Sequence, residues 1–202
     1  LCSCADEFLL QEGDLLFQDL DSSPLCEAIE SVTPGYMGAN LSHVGILVLD
    51  NETLKVLEAT PPVIKLTDIN SFLNSSLDNE GNPKVIVGRL KENHQKSIGR
   101  AKTFLIGKLD FKYDEEFLVN NEKYYCSELI YEAFKKDSIF KLYPMRFYND
   151  ENNRILKIWK EYYTKINMKI PHNEPGTNPG IMSLSKNIEI IYKYGNPNGM
   201  EK

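Results

Sequence analysis

The sequence predicts an α+β fold in which helices flank an antiparallel sheet. Three observations lead there. Short β-rich runs, with helical segments at their sides, cluster in the middle of the chain. The two strongest of them are joined by a tight polar turn, which makes them neighbours in an antiparallel hairpin. The helical periodicities lie beside the strand cluster and do not alternate with it, as a parallel sheet would require.

The elements follow in order. EGDLLFQDL (Glu12–Leu20) opens with a Gly-Asp turn and reads as a short strand. SSPLCEAIESV reads as a short helix, with Ser23 as N-cap and Pro24 at the first helical position. TPGYMGAN is a Pro/Gly loop. LSHVGILVLD is apolar on both faces and is expected as a central buried strand. DNET is a turn, LKVLEAT the returning strand, and Pro61-Pro62 ends the hairpin. VIKL and KVIVGRL are further strands. ENHQKSIGRAKTFLIGK is expected as a helix with Ile98, Ala101, Phe104 and Leu105 inward. The next helix runs from Cys126 to about Lys136, and another from Arg154 to Ile166 carries Ile155, Ile158, Trp159, Tyr162 and Ile166 at helical spacing. After the Pro/Gly-rich PHNEPGTNPG, NIEIIYKYG reads as a closing strand.

The 202 residues fit one domain. Residues 1–11 read as a leader or linker and 12–202 as a single domain, with a C-terminal extension from about residue 137. Apolar residues make up 42% and charged residues 26%, the balance of a globular chain with an ordinary core. A net charge of −6 leaves no basic footprint for nucleic acid. Apolar runs such as VGILVL are too short to span a bilayer. Four cysteines without a CxxC pair, and three histidines, do not suggest a structural zinc site, and no cofactor is expected. The opening LCSC resembles the end of a bacterial lipoprotein signal with Cys4 as the lipid-bearing residue; an unstructured terminus accounts for it equally. The lipoprotein reading implies an exported, periplasmic or membrane-anchored protein.

The candidate chemistry starts at Cys126. Cys126, Leu129, Ile130, Ala133 and Phe134 share the inward stripe of their helix, with Cys126 at its N-terminal end. Unpaired N–H groups and the positive end of the helix dipole lie there; both favour a thiolate, and the N–H groups suit an oxyanion. A buried structural cysteine fits the same stripe. The two readings part only if a base is near. His94 lies in polar KENHQK and His172 in a Pro/Gly loop, whereas His43 opens an otherwise apolar strand. If the hairpin turns at Asn51-Glu52, Leu49 pairs with Leu54, Leu47 with Val56 and Gly45 with Glu58. His43, Gly45 and Glu58 then share a face, with Glu58 diagonal to His43 and Gly45 leaving room between them. A one-residue slip would separate them. A helix-terminal cysteine, a strand histidine and an orienting carboxylate are the parts of a papain-type nucleophilic site.

GDLLF, SHVGILV, LEA and YYCSEL, in that order over roughly Glu12 to Lys136, resemble the permuted NlpC/P60 papain-like hydrolases of the YaeF/YiiX type. The resemblance implies a circularly permuted papain-like α+β fold, with the catalytic helix on an antiparallel sheet or open barrel. It implies Cys126 as nucleophile, His43 as general base and Glu58 as its orienting residue; Glu128 of CSEL reads as structural. Relatives often carry Tyr-Asp upstream of the cysteine. Here the segment reads GKLDFKYDEEF, with Leu109-Asp110 in place of Tyr-Asp, which leaves Tyr113 or Tyr125 as the candidate oxyanion or substrate contact. The expected activity is cysteine-dependent cleavage of an amide in a cell-wall peptide or other small amide. Similarity of the permuted branch to lecithin:retinol acyltransferase-like proteins makes a lipid or N-acyl substrate the alternative, and a non-catalytic binding protein on the same fold is a third. An apolar groove beside Cys126 would favour lipid; a polar one with charged anchors would favour peptide.

Overall fold

The computed structural model describes residues 8–33, 35–148 and 155–201. Cys2 and Cys4, with the proposed lipidation site, lie outside them. In chain order the elements are β1 (Leu15–Gln18), α1 (Pro24–Glu30), β2 (His43–Asp50), β3 (Thr53–Thr60), β4 (Val63–Thr67), α2 (Ile69–Leu73), β5 (Val85–Leu90), α3 (Ile98–Ile106), α4 (Cys126–Phe134), β6 (Tyr143–Pro144), α5 (Lys157–Lys165), β7 (Pro175–Gly176), α6 (Pro179–Ser183) and β8 (Ile188–Lys193).

Six strands form one sheet in the order β4-β3-β2-β1-β5-β8, every pair antiparallel. The hairpin register is the one expected: Leu49 faces Leu54 and Leu47 faces Val56. Asn51 and Glu52, the two turn residues, both take positive φ, as a two-residue hairpin turn needs. β1 and β2, central in the sheet, bury both faces, which is why their sequences do not alternate. The principal core joins one sheet face to α3, α4 and α6 through Leu15, Val44, Ile46, Leu129, Ile130 and Phe134. On the other face Leu16, Leu47, Val56 and Val87 meet Phe72 and Leu73 of α2.

Two helix starts differ from expectation. Glu92–Ser97 is a 3-10 turn, and the α-helix begins only at Ile98. There the Ser97 hydroxyl donates to the His94 carbonyl at 2.6 Å, a local bond that competes with the helical ladder. The helix expected from Arg154 begins at Lys157, and Arg154 lies outside the described residues.

The segment after residue 137 is woven into the rest. β8 is an edge strand of the main sheet, α6 packs on α4 and β1, and α5 packs on α1. Phe117, Tyr125, Phe147, Trp159 and Tyr163 gather with Ala28 of α1 in a mainly aromatic cluster. Phe117 carries a left-handed φ of 57°, costly for an aromatic residue, and is clasped by the rings of Tyr113, Tyr125, Trp159 and Tyr162.

Candidate active site

α4 starts abruptly because the chain arrives extended at Tyr125 (φ −88°, ψ 168°) and turns helical at Cys126. Glu128, the third helical residue, turns its carboxyl back toward the N–H groups of Tyr125 and Asn120, in the place of the return half of a capping box, with Oε2 left buried and without a hydrogen-bond partner. Burial, then the nearby charge of Asp114, pushes the Glu128 carboxyl up to about 8. Glu128 is thus a buried capping residue, which accords with its structural reading. Ser127 donates from Oγ to the Thr177 carbonyl at 3.2 Å and ties α4 to the segment before α6.

Cys126 is buried and free of any disulfide. His43, at the start of β2, reaches it: the imidazole is hydrogen-bonded to the Cys126 side chain and, through Nε2, to Glu58 Oε2 at 2.6 Å. Glu58 holds Nε2, so Nδ1 is the nitrogen left for the sulfur. Both His43 and Glu58 are buried, at 7% and 6% exposure, so water screens the pair weakly. Desolvation works against a charged His43 and is the largest single influence, but the Cys126 and Glu58 partners together override it and push the ring up to about 10. Glu58 is driven the opposite way: burial would raise its carboxyl, and the His43 partner with the Thr67 hydrogen bond leaves it below its ordinary value. The site therefore holds a proton on the imidazole between a carboxylate and a sulfur.

Two residues of this arrangement escaped the sequence reading. Thr67 on β4 donates from Oγ1 to Glu58 Oε1 at 2.5 Å. Phe72 of α2 lies against the imidazole, ring centroids 5.7 Å apart. Thr67 sits two residues beyond the cross-strand partner of Glu58, Lys65, so it was findable once β4 was placed in register. Nothing in the sequence marked Phe72. Gly45 also has a different part from the one expected. A Cβ there would collide with Val56 Cγ1 and approach Phe72 Cε2 to 3.3 Å. The missing side chain lets Val56 and Phe72 close in on this face of the strand pair.

The two tyrosines separate. The Tyr125 hydroxyl accepts the Thr177 N–H at 3.2 Å and its ring packs on Phe117, so Tyr125 braces the wall. Tyr113 stands beside the sulfur. Burial, followed by the Cys126 charge, holds its phenol protonated well above the ordinary value, which keeps it a donor. Its N–H donates to the Pro62 carbonyl at 3.0 Å, and it bridges to Tyr124, two residues before Cys126. Asp114 follows it, fully buried, accepting from the N–H groups of Glu116 (2.9 Å) and Leu118 (2.8 Å). Four residues after Leu109-Asp110 the chain carries Tyr113-Asp114, and there the tyrosine faces the site, whereas Leu109 packs against the main core.

Cys126, His43 and Tyr113 open into a cleft of about 680 Å³. Its walls come from α1 (Leu25, Ile29), the loop at Phe117, β6 and its flank (Phe147), α5 (Trp159) and α6 (Ile181). Glu115 and Arg146 are the only Asp, Glu, Lys or Arg side chains among the described lining residues. Among the described residues no group of three or more His, Cys, Asp or Glu is placed to hold a metal ion.

Comparison with known proteins agrees with this geometry. Residues 9–192 match the family described as permuted papain-like amidase enzyme, YaeF/YiiX, C92 family. The uncharacterized protein YiiX of Escherichia coli strain K12 is 27% identical over 125 residues, 62% of this chain and 57% of that protein, so the match spans little more than half of the relative's length. A crystal structure described as the metalloprotein YiiX of Escherichia coli O157:H7, DUF1105, superposes with a TM-score of 0.77 at 22% identity, covering 94% of this chain and 100% of that one; at that identity the likeness speaks for the fold.

Proposed function

We propose, from the premise that the chain belongs to the permuted papain-like amidase family (YaeF/YiiX, C92), that it cleaves N-acyl amides with an extended apolar acyl group through a thioester on Cys126. The observation that carries this reading is the apolar, aromatic cleft that opens at the sulfur. A site of ~300–1,000 Å³ with apolar walls and a few convergent polar groups is the usual form of a small-molecule pocket. A cell-wall peptide would call for more charged anchors than Glu115 and Arg146.

The geometry supports the following roles. The His43 imidazolium and Cys126 thiolate form the reactive pair, with Glu58 stabilising the charged ring. The sulfur attacks the amide carbonyl, and the oxyanion is met by the free N–H groups at the start of α4 and by the Tyr113 hydroxyl. His43 gives its proton to the departing amine as the C–N bond breaks, leaving the acyl group as a thioester. Water then attacks, His43 takes its proton, and the carboxylic acid leaves with the thiol regenerated. Export and anchoring through Cys4 belong to the same proposal, since an acyl amide and its hydrolase would then meet at a membrane surface; mass analysis of the mature N-terminus tests that part.

The test is a series of fluorogenic amides with acyl chains of two to sixteen carbons beside short peptide amides. Each buried methylene is worth ~0.8 kcal/mol, so kcat/KM is expected to rise about fourfold per added carbon until the cleft is full. Preference for peptide amides would reject the acyl reading. Unchanged turnover in Cys126→Ala would reject the thiol mechanism as a whole.

A further inference from the structure

We propose that Thr67 is a positioning residue for this site, whose hydroxyl fixes the Glu58 carboxylate so that Oε2 is presented to His43. The inference rests on the thiol reading above and extends it to a residue outside the cleft. Glu58 lies in β3 with three rotatable side-chain bonds and two polar neighbours that pull in different directions. Lys65 stands directly opposite on β4, and His43 stands diagonally on β2. Lys65 is exposed, so an unrestrained Glu58 could swing to it and to water, leaving the histidine. Thr67 prevents that. It sits across from Val56, two residues along β4 from Lys65, and its hydroxyl engages Oε1 at 2.5 Å while Oε2 lies 2.6 Å from Nε2. Each carboxylate oxygen then has one donor, and the plane of the group is set. A β-branched side chain on a strand has few rotamers, so the hydroxyl is itself held in place.

The charged and titratable groups around the carboxylate are His43 from β2 and Lys65 from β4, with Cys126 beyond the ring. Thr67 carries no charge, so its effect reaches the sulfur only through the geometry of Glu58 and His43. Serine keeps the hydroxyl and valine keeps the shape, which makes the role separable from packing.

The experiment is alkylation of the full chain by iodoacetamide, followed residue by residue by mass spectrometry, with buried Cys26 as internal reference. The readout needs no substrate. Thr67→Val is expected to slow Cys126 alkylation at pH 7 on the order of tenfold, the fold-change for part of a hydrogen bond to a charged group, while Cys26 alkylation stays as in the native chain. Thr67→Ser is expected to retain the native rate. In a Glu58→Ala background, Thr67→Val is expected to change nothing further. A native Cys126 rate in Thr67→Val, a failed rescue by serine, or a full additional loss in the Glu58→Ala background would each overturn the role of Thr67. A native rate in Glu58→Ala alone would overturn the triad reading and the role of Thr67 with it. A slow Glu58→Ala beside a native Thr67→Val overturns only the latter.

Discussion

Replacing Glu58 by glutamine keeps the size of the side chain and removes its charge, which isolates what the carboxylate does for His43. In the folded protein the imidazole holds its proton up to about 10, against 6.5 for the free group. That interval corresponds to about 5 kcal/mol in favour of the charged ring, at ~1.36 kcal/mol per pH unit. Glu58 is one of the two partners that hold the charged ring against burial, and loss of a hydrogen bond to a charged group removes about 2 kcal/mol. The sign is fixed by linkage. A folded value above the unfolded one means that His43 stabilises the fold fully below pH 6.5 and loses that contribution as pH rises toward 10. Glu58, held below its ordinary 4.5, contributes above that value and loses its contribution as pH falls through its lower folded value. Urea unfolding between pH 6.5 and 9.5 should therefore show the native chain losing stability with rising pH, and Glu58→Gln losing about 2 kcal/mol less over the same interval. In the same variant kcat/KM should fall about 30-fold, since 2 kcal/mol of lost support for the imidazolium enters the barrier directly. An unchanged pH slope together with kcat/KM within about threefold of native would refute the claim that Glu58 sustains the charge on His43.

Gly45→Ala should destabilise the fold by about 1–3 kcal/mol in denaturant titrations, because its Cβ must displace Val56 and Phe72 in a packed layer, and it should also lower turnover by shifting the ring beside His43. Glu128→Gln should fold normally and flatten stability between pH 4.5 and about 8: the native carboxyl resists ionisation, so its burial is favourable below 4.5 and is lost as pH rises through 8. Trp159→Ala should cost about 3–5 kcal/mol in thermal or urea unfolding, and should abolish the preference for long acyl chains while leaving shorter amides less affected.

The hairpin was legible because its signals are local. A polar two-residue turn and a buried run on either side fix the register, and the register brings Glu58 diagonal to His43. The phase of α4 was legible for the same reason, since five apolar positions at helical spacing leave one orientation for Cys126. The cleft was not. Its walls come from α1, the loop at Phe117, the flank of β6, α5 and α6, segments far apart in sequence whose meeting is decided by tertiary packing. Phe117 and Phe147 look like ordinary core residues in isolation, and Phe117 adopts a backbone conformation that propensity argues against. Which of Tyr113 and Tyr125 faces the sulfur was not legible either, because the loop from Gly107 to Tyr124 has no periodicity to count against; its shape depends on the buried Asp114 gathering the N–H groups of Glu116 and Leu118.

The division of labour between sheet and helix explains why a site of buried polar groups can be tolerated here. His43, Glu58 and Thr67 come from three adjacent strands, β2, β3 and β4, and the ladder fixes their spacing before any side chain is ordered. The sulfur comes from a different element, and α4 is anchored by Glu128 at its own N-terminus and by Ser127 on Thr177. Ionising a buried thiol or a buried imidazole alone would carry the full desolvation cost. With the carboxylate already satisfied by two donors, the proton moving from sulfur to nitrogen creates a paired charge in place of an isolated one. On the function proposed above, the same packing that makes the pair affordable also favours an apolar acyl substrate. Phe72 closes the sheet side of the histidine and Tyr125 braces the loop at Thr177, so the open approach to Cys126 is along the apolar cleft. An acyl chain lying in that cleft would displace water from the sulfur and deepen the field of the pair, so recognition of the chain and activation of the thiol draw on one arrangement.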